Sequence, residues 1–305
     1  MQRFLHKAAL FLLASLLVGY AVEGVLFLRM MDKRAHVHED WPDLRGLDCD
    51  YWIVGDSRTT GHLIPSVVDS VTGMTGHNIA YSGYRVRMGL DRIRFAMEHA
   101  KTKPKWILFQ SDLSFLAESR IQDHYPMKDG VLRYFFFDQL GINAFYRRYE
   151  NWRELDAWLP LLRYKGYPLI FAKHCLGWNR WDKREAQGYW RLERGVGFTA
   201  SEKETALDEN LLLFDLLDLQ DKHRFRLLGF IPPSPGSQWQ PSAVEVSKLE
   251  SHFQVIDHTA LFALAEEEYY HDRSHFSERG AQEYSLLIGE ELKRLNNPKH
   301  AIQQP

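Results

Sequence analysis

Gly55-Asp56-Ser57-Arg58 places a serine directly after the short apolar run Tyr51-Trp52-Ile53-Val54. A serine at a strand exit can project its hydroxyl into a cleft, but a neutral hydroxyl attacks a carbonyl only when a base takes its proton. Near the other end of the chain, Asp272-Arg273-Ser274-His275 offers that base. A carboxylate three residues before an imidazole on a turn can accept one ring N–H, holding the tautomer that leaves the other nitrogen for the serine. Gly83 can present an unobstructed backbone N–H, alongside that of Ser57, to the oxyanion that develops in acyl transfer. The predicted chemistry is nucleophilic acyl transfer, with no cofactor.

Each of these residues also has a plainer role. Serine is a favoured helix N-cap, and His275 can be a loop or helix-entry residue. His271 and His275, four apart with Asp272 between them, have the spacing of metal ligands on one helical face. However, Ser277 and Gly280 put the helix start after His275, and no further ligand cluster is evident, so no metal is predicted. Arg58 fits two roles, contact with an anionic substrate or pairing with a carboxylate. Asp56 suits local hydrogen bonding.

Such residues need elements that bring them together. Residues 51–54 read as a buried parallel strand. Ile64, Val67, Val68 and Val71 follow at helical spacing, closed by Gly73. A second strand is predicted at 78–81, a helix at 88–100, and a third strand at 106–109 after Pro104. A fourth strand is expected at 225–231, a helix at 244–253, a fifth strand at 255–256 and a closing helix at 281–295. This alternation predicts an α/β fold with a doubly wound, mainly parallel five-stranded sheet. Ligands in such sheets sit beyond the carboxyl ends of the strands, where the polar residues named above fall.

The interval 117–205 differs, with Trp152, Trp158, Trp178, Trp181 and Trp190, the aromatic run 134–137 and basic pairs such as Arg147-Arg148. It reads as an inserted helical cap, built as an ordinary core, as a stacking platform for sugars, or as a membrane or partner contact. Trp178 and Trp181 are its candidates for acceptor binding. The expected organisation is thus an N-terminal apolar segment at 1–34, a linker at 35–48, an α/β domain at 49–295 carrying the cap, and a tail at 296–305.

Ala8 to Leu28 is largely apolar, with one acidic residue, Glu23. As a helix these 21 residues rise about 31 Å, enough for a hydrocarbon core of about 30 Å. A secretory signal peptide cut after Ala21 is the rival, although Val25, Leu26, Phe27 and Leu28 continue the apolar run. Basic residues flank the segment on both sides, so the charge rule for orientation is nearly balanced. Either reading makes the protein membrane-associated or exported, and the α/β domain is expected outside the cytoplasm. The chain of 305 residues is 45% hydrophobic and carries a formal charge of −2, which excludes wholesale disorder and any global electrostatic case for nucleic acid. Cys49 and Cys175 can pair with each other or stay free, but two cysteines cannot make a disulfide scaffold.

Gly55-Asp56-Ser57, Asn78-x-Ala80-x-x-Gly83 and Asp272-x-x-His275 followed by Gly280-Ala281 resemble the first, second and last blocks of the SGNH/GDSL hydrolases, over about residues 49–116 and 222–295. The resemblance implies Ser57 as nucleophile, His275 as base, Asp272 as its orienter, and the N–H groups of Ser57 and Gly83 as oxyanion donors. The third block departs from the family pattern. Phe109-Gln110-Ser111-Asp112 lacks the asparagine that donates to the oxyanion, leaving Gln110 or Ser111 as substitutes. An apolar anchor with an altered third block is similar in layout to membrane-linked members that modify extracellular polymers, often beside a membrane-bound O-acyltransferase. The implied function is addition or removal of an acyl group, acetyl in the first instance, on a cell-surface polysaccharide. A plain esterase or lipase is the alternative within enzymes, and a non-catalytic binding or scaffolding subunit of an envelope-polymer assembly the alternative outside them.

Overall fold

Four consecutive apolar residues with no polar alternation suit a strand covered on both faces, and Tyr51–Val54 forms one, β1, with every side chain buried. The computed structural model describes residues 1–31, 44–82, 86–116, 187, 189, 211–233, 241–261, 267–272 and 274–297. Within it β1 pairs in parallel with β2 (Gly76–Asn78) on one side and β3 (Trp106–Gln110) on the other. β4 (Arg226–Ile231) pairs with β3, and β5 (Gln254–Asp257) with β4, both in parallel. The order β2-β1-β3-β4-β5 is that of the flavodoxin-like doubly wound sheets. It reverses direction between β1 and β3, so the crevice expected to hold a ligand opens at the carboxyl ends of those two strands.

The second strand lies two residues earlier than predicted. Gly76 opposes Tyr51, and a Cβ there would strike the Tyr51 ring, so only glycine lets the chains meet. The apolar run 79–81 follows the strand and still donates backbone hydrogen bonds to β1 and the residue after it, from Ile79 to Ile53 at 2.8 Å and from Tyr81 to Gly55 at 3.1 Å.

Helices line the sheet: α2 (Ser57–His62), α3 (Pro65–Thr72), α4 (Val86–His99), α5 (Leu113–Leu116), α6 (Leu211–His223), α7 (Ala243–Glu250) and α8 (Glu278–Asn296). The short helices α2 and α5 and the helix α6 have no counterpart among the predicted elements. Gly73 ends α3 in the left-handed region at φ 70°, as a C-terminal glycine does. Ser277 caps α8, its hydroxyl accepting the Gly280 N–H. Ala281, Tyr284, Ile288 and Leu292 recur at helical spacing and turn inward onto Tyr51, Ile53, Leu63 and Val68. Burying each of the larger apolar side chains contributes about 1.5–3 kcal/mol. α8 packs on α3 and α2, while α6 packs on α4.

The chain divides into two compact units, residues 1–42 with 121–183, and 43–120 with 184–305. In the first, α1 (Gln2–Met31) is 30 residues long. It is the one helix among the described residues long and apolar enough to cross a membrane, a property that a signal sequence shares. The predicted cap at 117–205 lies outside the described residues apart from Gln187 and Tyr189. So do Gly83, Cys175 and most of the linker at 35–48. Cys49 is buried with a free thiol, pushed up to about 11 by that burial.

Candidate active site

Asp56 turns the end of β1 into the start of α2. Its carboxylate accepts the Arg58 N–H at 2.9 Å, which caps the helix, and its other oxygen accepts the Ser114 hydroxyl at 2.6 Å. The aspartate therefore does the capping that Ser57 could have done. Ser57, in the first turn of α2, instead points its hydroxyl at His275, with Oγ 2.9 Å from Nε2.

His275 reaches that position from a tight turn between Tyr270 and Phe276, which are joined as an antiparallel bridge. Asp272 organises the turn. One carboxylate oxygen accepts the backbone N–H groups of Ser274 at 2.7 Å and His275 at 2.8 Å, and the other accepts the His275 ring N–H from Nδ1 at 2.9 Å. That bond puts the ring proton on Nδ1 and the lone pair of Nε2 toward Ser57. Burial of Asp272 favours its neutral acid, but the hydrogen bonds from the His275 ring and the Ser274 backbone outweigh it, holding the carboxyl below the usual carboxylate range. Three side chains, the first and last of them 218 positions apart in sequence, thus form one hydrogen-bonded chain.

The residues around them are committed to the scaffold. The Gln110 carboxamide oxygen accepts the Asp56 N–H at 3.0 Å and the Thr59 hydroxyl at 2.5 Å, while its nitrogen donates to Asp112 at 2.8 Å and Ser114 at 3.0 Å. The Ser111 hydroxyl donates to the Phe109 carbonyl at 3.0 Å. Both side chains are fully buried. Of the two roles for Arg58, the structure gives the carboxylate pairing. The guanidinium forms a buried ion pair with Asp112 and donates to the carbonyls of Pro232 at 3.2 Å and Pro233 at 2.9 Å. It ties the exit of β1 to the ends of β3 and β4. Burial pushes the Asp112 carboxyl up and the Arg58 charge opposes that, while nearby Asp56 adds to it.

Asn78, in the second sequence block, fastens α2 to β2. Its amide donates to the carbonyls of Thr59 at 3.0 Å and Leu63 at 3.1 Å, and its oxygen accepts the Ala80 N–H at 3.0 Å. Gly83, the expected second oxyanion donor, lies outside the described residues. Among the described residues no three His, Cys, Asp or Glu side chains converge as metal ligands.

His62, a residue with no mark in the sequence, packs its ring beside the site. It stacks on Phe276 at 4.1 Å between centroids and meets the His275 ring edge-on at 6.2 Å. Nothing in the local sequence marks it, because the short helix that joins it to Ser57 is not among the predicted elements.

The arrangement can take a proton from Ser57, hold it on His275 and return it to a leaving group, as general acid–base chemistry requires. No family model matches the chain, and no curated protein matches it.

Proposed function

We propose that this chain is a serine-dependent acyl-transfer enzyme of SGNH type, held at the membrane by α1, with its α/β domain outside the cytoplasm. In this reading it adds or removes an acyl group, acetyl in the first instance, on a cell-surface polysaccharide. The observation that carries the reading is the pair of hydrogen bonds on the His275 ring, 2.9 Å to Ser57 and 2.9 Å to Asp272. Ser57 Oγ attacks the acyl carbonyl while His275 Nε2 takes its proton. The tetrahedral oxyanion is held by the Ser57 N–H, which the first turn of α2 leaves without an intrahelical partner, and by the Gly83 N–H. Collapse expels the donor alkoxide, which leaves with the proton from His275, and an acyl-Ser57 remains. A sugar hydroxyl or water then gives its proton to His275 and attacks the ester, and the departing Ser57 oxygen takes that proton back from His275. A transferase holds the sugar hydroxyl against the acyl-enzyme in preference to water. A membrane-bound O-acyltransferase is the matching acyl source.

The internal bonds of Gln110 and Ser111 favour a second reading, because they leave the altered third block with no free side-chain donor for an oxyanion. In it the chain is a binding or scaffolding subunit of an envelope-polymer assembly. One experiment separates the two. Full-length protein in detergent is mixed with a chromogenic acetyl ester, quenched within one turnover and digested for mass spectrometry. Acetyl on the Ser57 peptide supports the enzyme. A folded protein that never acquires it is the scaffold.

A further inference from the structure

We propose that His62 is a positioning residue of this site, gripping the backbone next to the base from the helix that carries the nucleophile. The proposal rests on the acyl-transfer reading only for its consequence for rate. Its geometry stands apart from that reading. Ser57 opens α2 and His62 closes it. The His62 Nε2 accepts the backbone N–H of Phe276 at 3.1 Å, and Phe276 directly follows His275. One short helix therefore holds the serine at one end and the peptide beside the imidazole at the other.

The far end of α2 is itself anchored. The Ser285 hydroxyl on α8 accepts the Ile64 N–H at 2.8 Å and donates to the Ala281 carbonyl at 2.6 Å. The Ser277 N–H, just past Phe276, donates to the Tyr269 carbonyl at 2.9 Å. The turn bearing His275 is thereby tied on one side to the 267–269 segment and on the other to α2, with His62 making the second tie. His62 has no exposed surface, so water cannot replace it as the partner of the Phe276 N–H. A buried N–H left without a partner is costly.

The grip requires a lone pair on Nε2, hence a neutral ring with its proton on Nδ1. Burial, and after it the charges of Arg58 and His275, push the His62 ring well below the ordinary histidine range. When His275 carries a proton during turnover, a second imidazolium 6.2 Å away is thus avoided.

The test uses the full chain in detergent with ¹⁵N-labelled histidine. Signals are assigned by comparing the wild type with H62F, H62Q and H275Q. Phenylalanine keeps the stacking on Phe276 and removes the acceptor, while glutamine offers an acceptor oxygen. At pH 7 the wild-type His62 should be the neutral tautomer protonated on Nδ1. H62F should shift the His275 ring signals and lower kcat for Ser57 acylation by roughly 10²-fold at unchanged KM, the scale of a displacement of about 1 Å. H62Q should recover most of both. A His62 protonated on Nε2, which can be read without any variant, overturns the proposal. So does a folded H62F with His275 signals unchanged, or an H62Q as impaired as H62F. If wild-type Ser57 is never acylated, the acyl-transfer reading fails while the His275 signals still decide the positioning role.

Discussion

Gly55 and Gln110 meet where a side chain has no room: a Cβ built on Gly55 would fall on the carboxamide oxygen of Gln110 and on the Thr59 hydroxyl. That oxygen is the acceptor for the Asp56 N–H at 3.0 Å, so β3 sets the path by which the chain leaves β1 and enters α2. Gly55→Ala should destabilise the protein by about 1–3 kcal/mol, the usual cost of overpacking a filled core. It should also lower Ser57 acylation in whatever fraction remains folded. Urea unfolding of the purified chain, with acylation measured on the same sample, checks both.

Arg58 and Asp112 form a buried pair whose partners cannot be removed singly without leaving a charge uncompensated. Arg58→Met should cost about 3–5 kcal/mol, and Asp112→Leu a similar amount. The double variant should cost clearly less than the two together, because neither charge is then stranded. A double-mutant cycle by denaturant unfolding measures the coupling. Additive losses would show that the pair does not act as a unit.

Asp272→Asn keeps an oxygen for the backbone N–H groups of Ser274 and His275, so the turn should persist. The amide can also donate to the ring and favour the wrong tautomer of His275. The expected result is a fall of roughly 10²–10⁴-fold in kcat, with KM little changed and the circular dichroism spectrum retained. A variant within threefold of the wild type would remove Asp272 from the proposed role.

The depressed His62 also makes stability depend on pH, with a definite sign. Folded His62 stays neutral, while the same ring in the unfolded chain takes up a proton below about pH 6.5. The unfolded state then binds more protons, so stability falls as the pH falls through about 6.5. The limiting slope is about 1.4 kcal/mol per pH unit for one group. Arg58, His275 and Asp272 are the charged or titratable groups acting on this ring. His223 and His258 are depressed by burial as well and slope the same way. Unfolding free energies of the wild type and H62F between pH 7 and pH 5 isolate the His62 contribution, which should vanish in the variant. Parallel curves would mean that His62 takes up its proton equally in the folded and unfolded states and so adds nothing to the pH dependence.

Local pattern alone determined a good deal of this protein. Uninterrupted apolar runs marked β1 and β3, and a run broken only by Arg226 and Gly229 marked β4, each to within a residue, since a strand buried on both faces needs no polar alternation. Inward spacing from Ala281 to Leu292 and a serine before it marked α8. A serine after a strand and an aspartate three residues before a histidine marked Ser57, Asp272 and His275 as candidates, whose side chains the structure brings within hydrogen-bond reach. The tertiary structure decided what those patterns could not. The start of β2 depends on which residue can lie against the Tyr51 ring, a matter of space across the sheet. Arg58 had two eligible roles, and the choice fell to Asp112, 54 positions away, with the Pro232 carbonyl 174 positions away. Gln110 looked like a free donor until β3 brought it against the exit of β1. His62 acquired a role only when Phe276, 214 positions later, turned its N–H toward it. Local propensity and periodicity are properties of neighbouring residues, whereas a buried hydrogen bond is made by whichever distant group the fold delivers to within 3 Å or so.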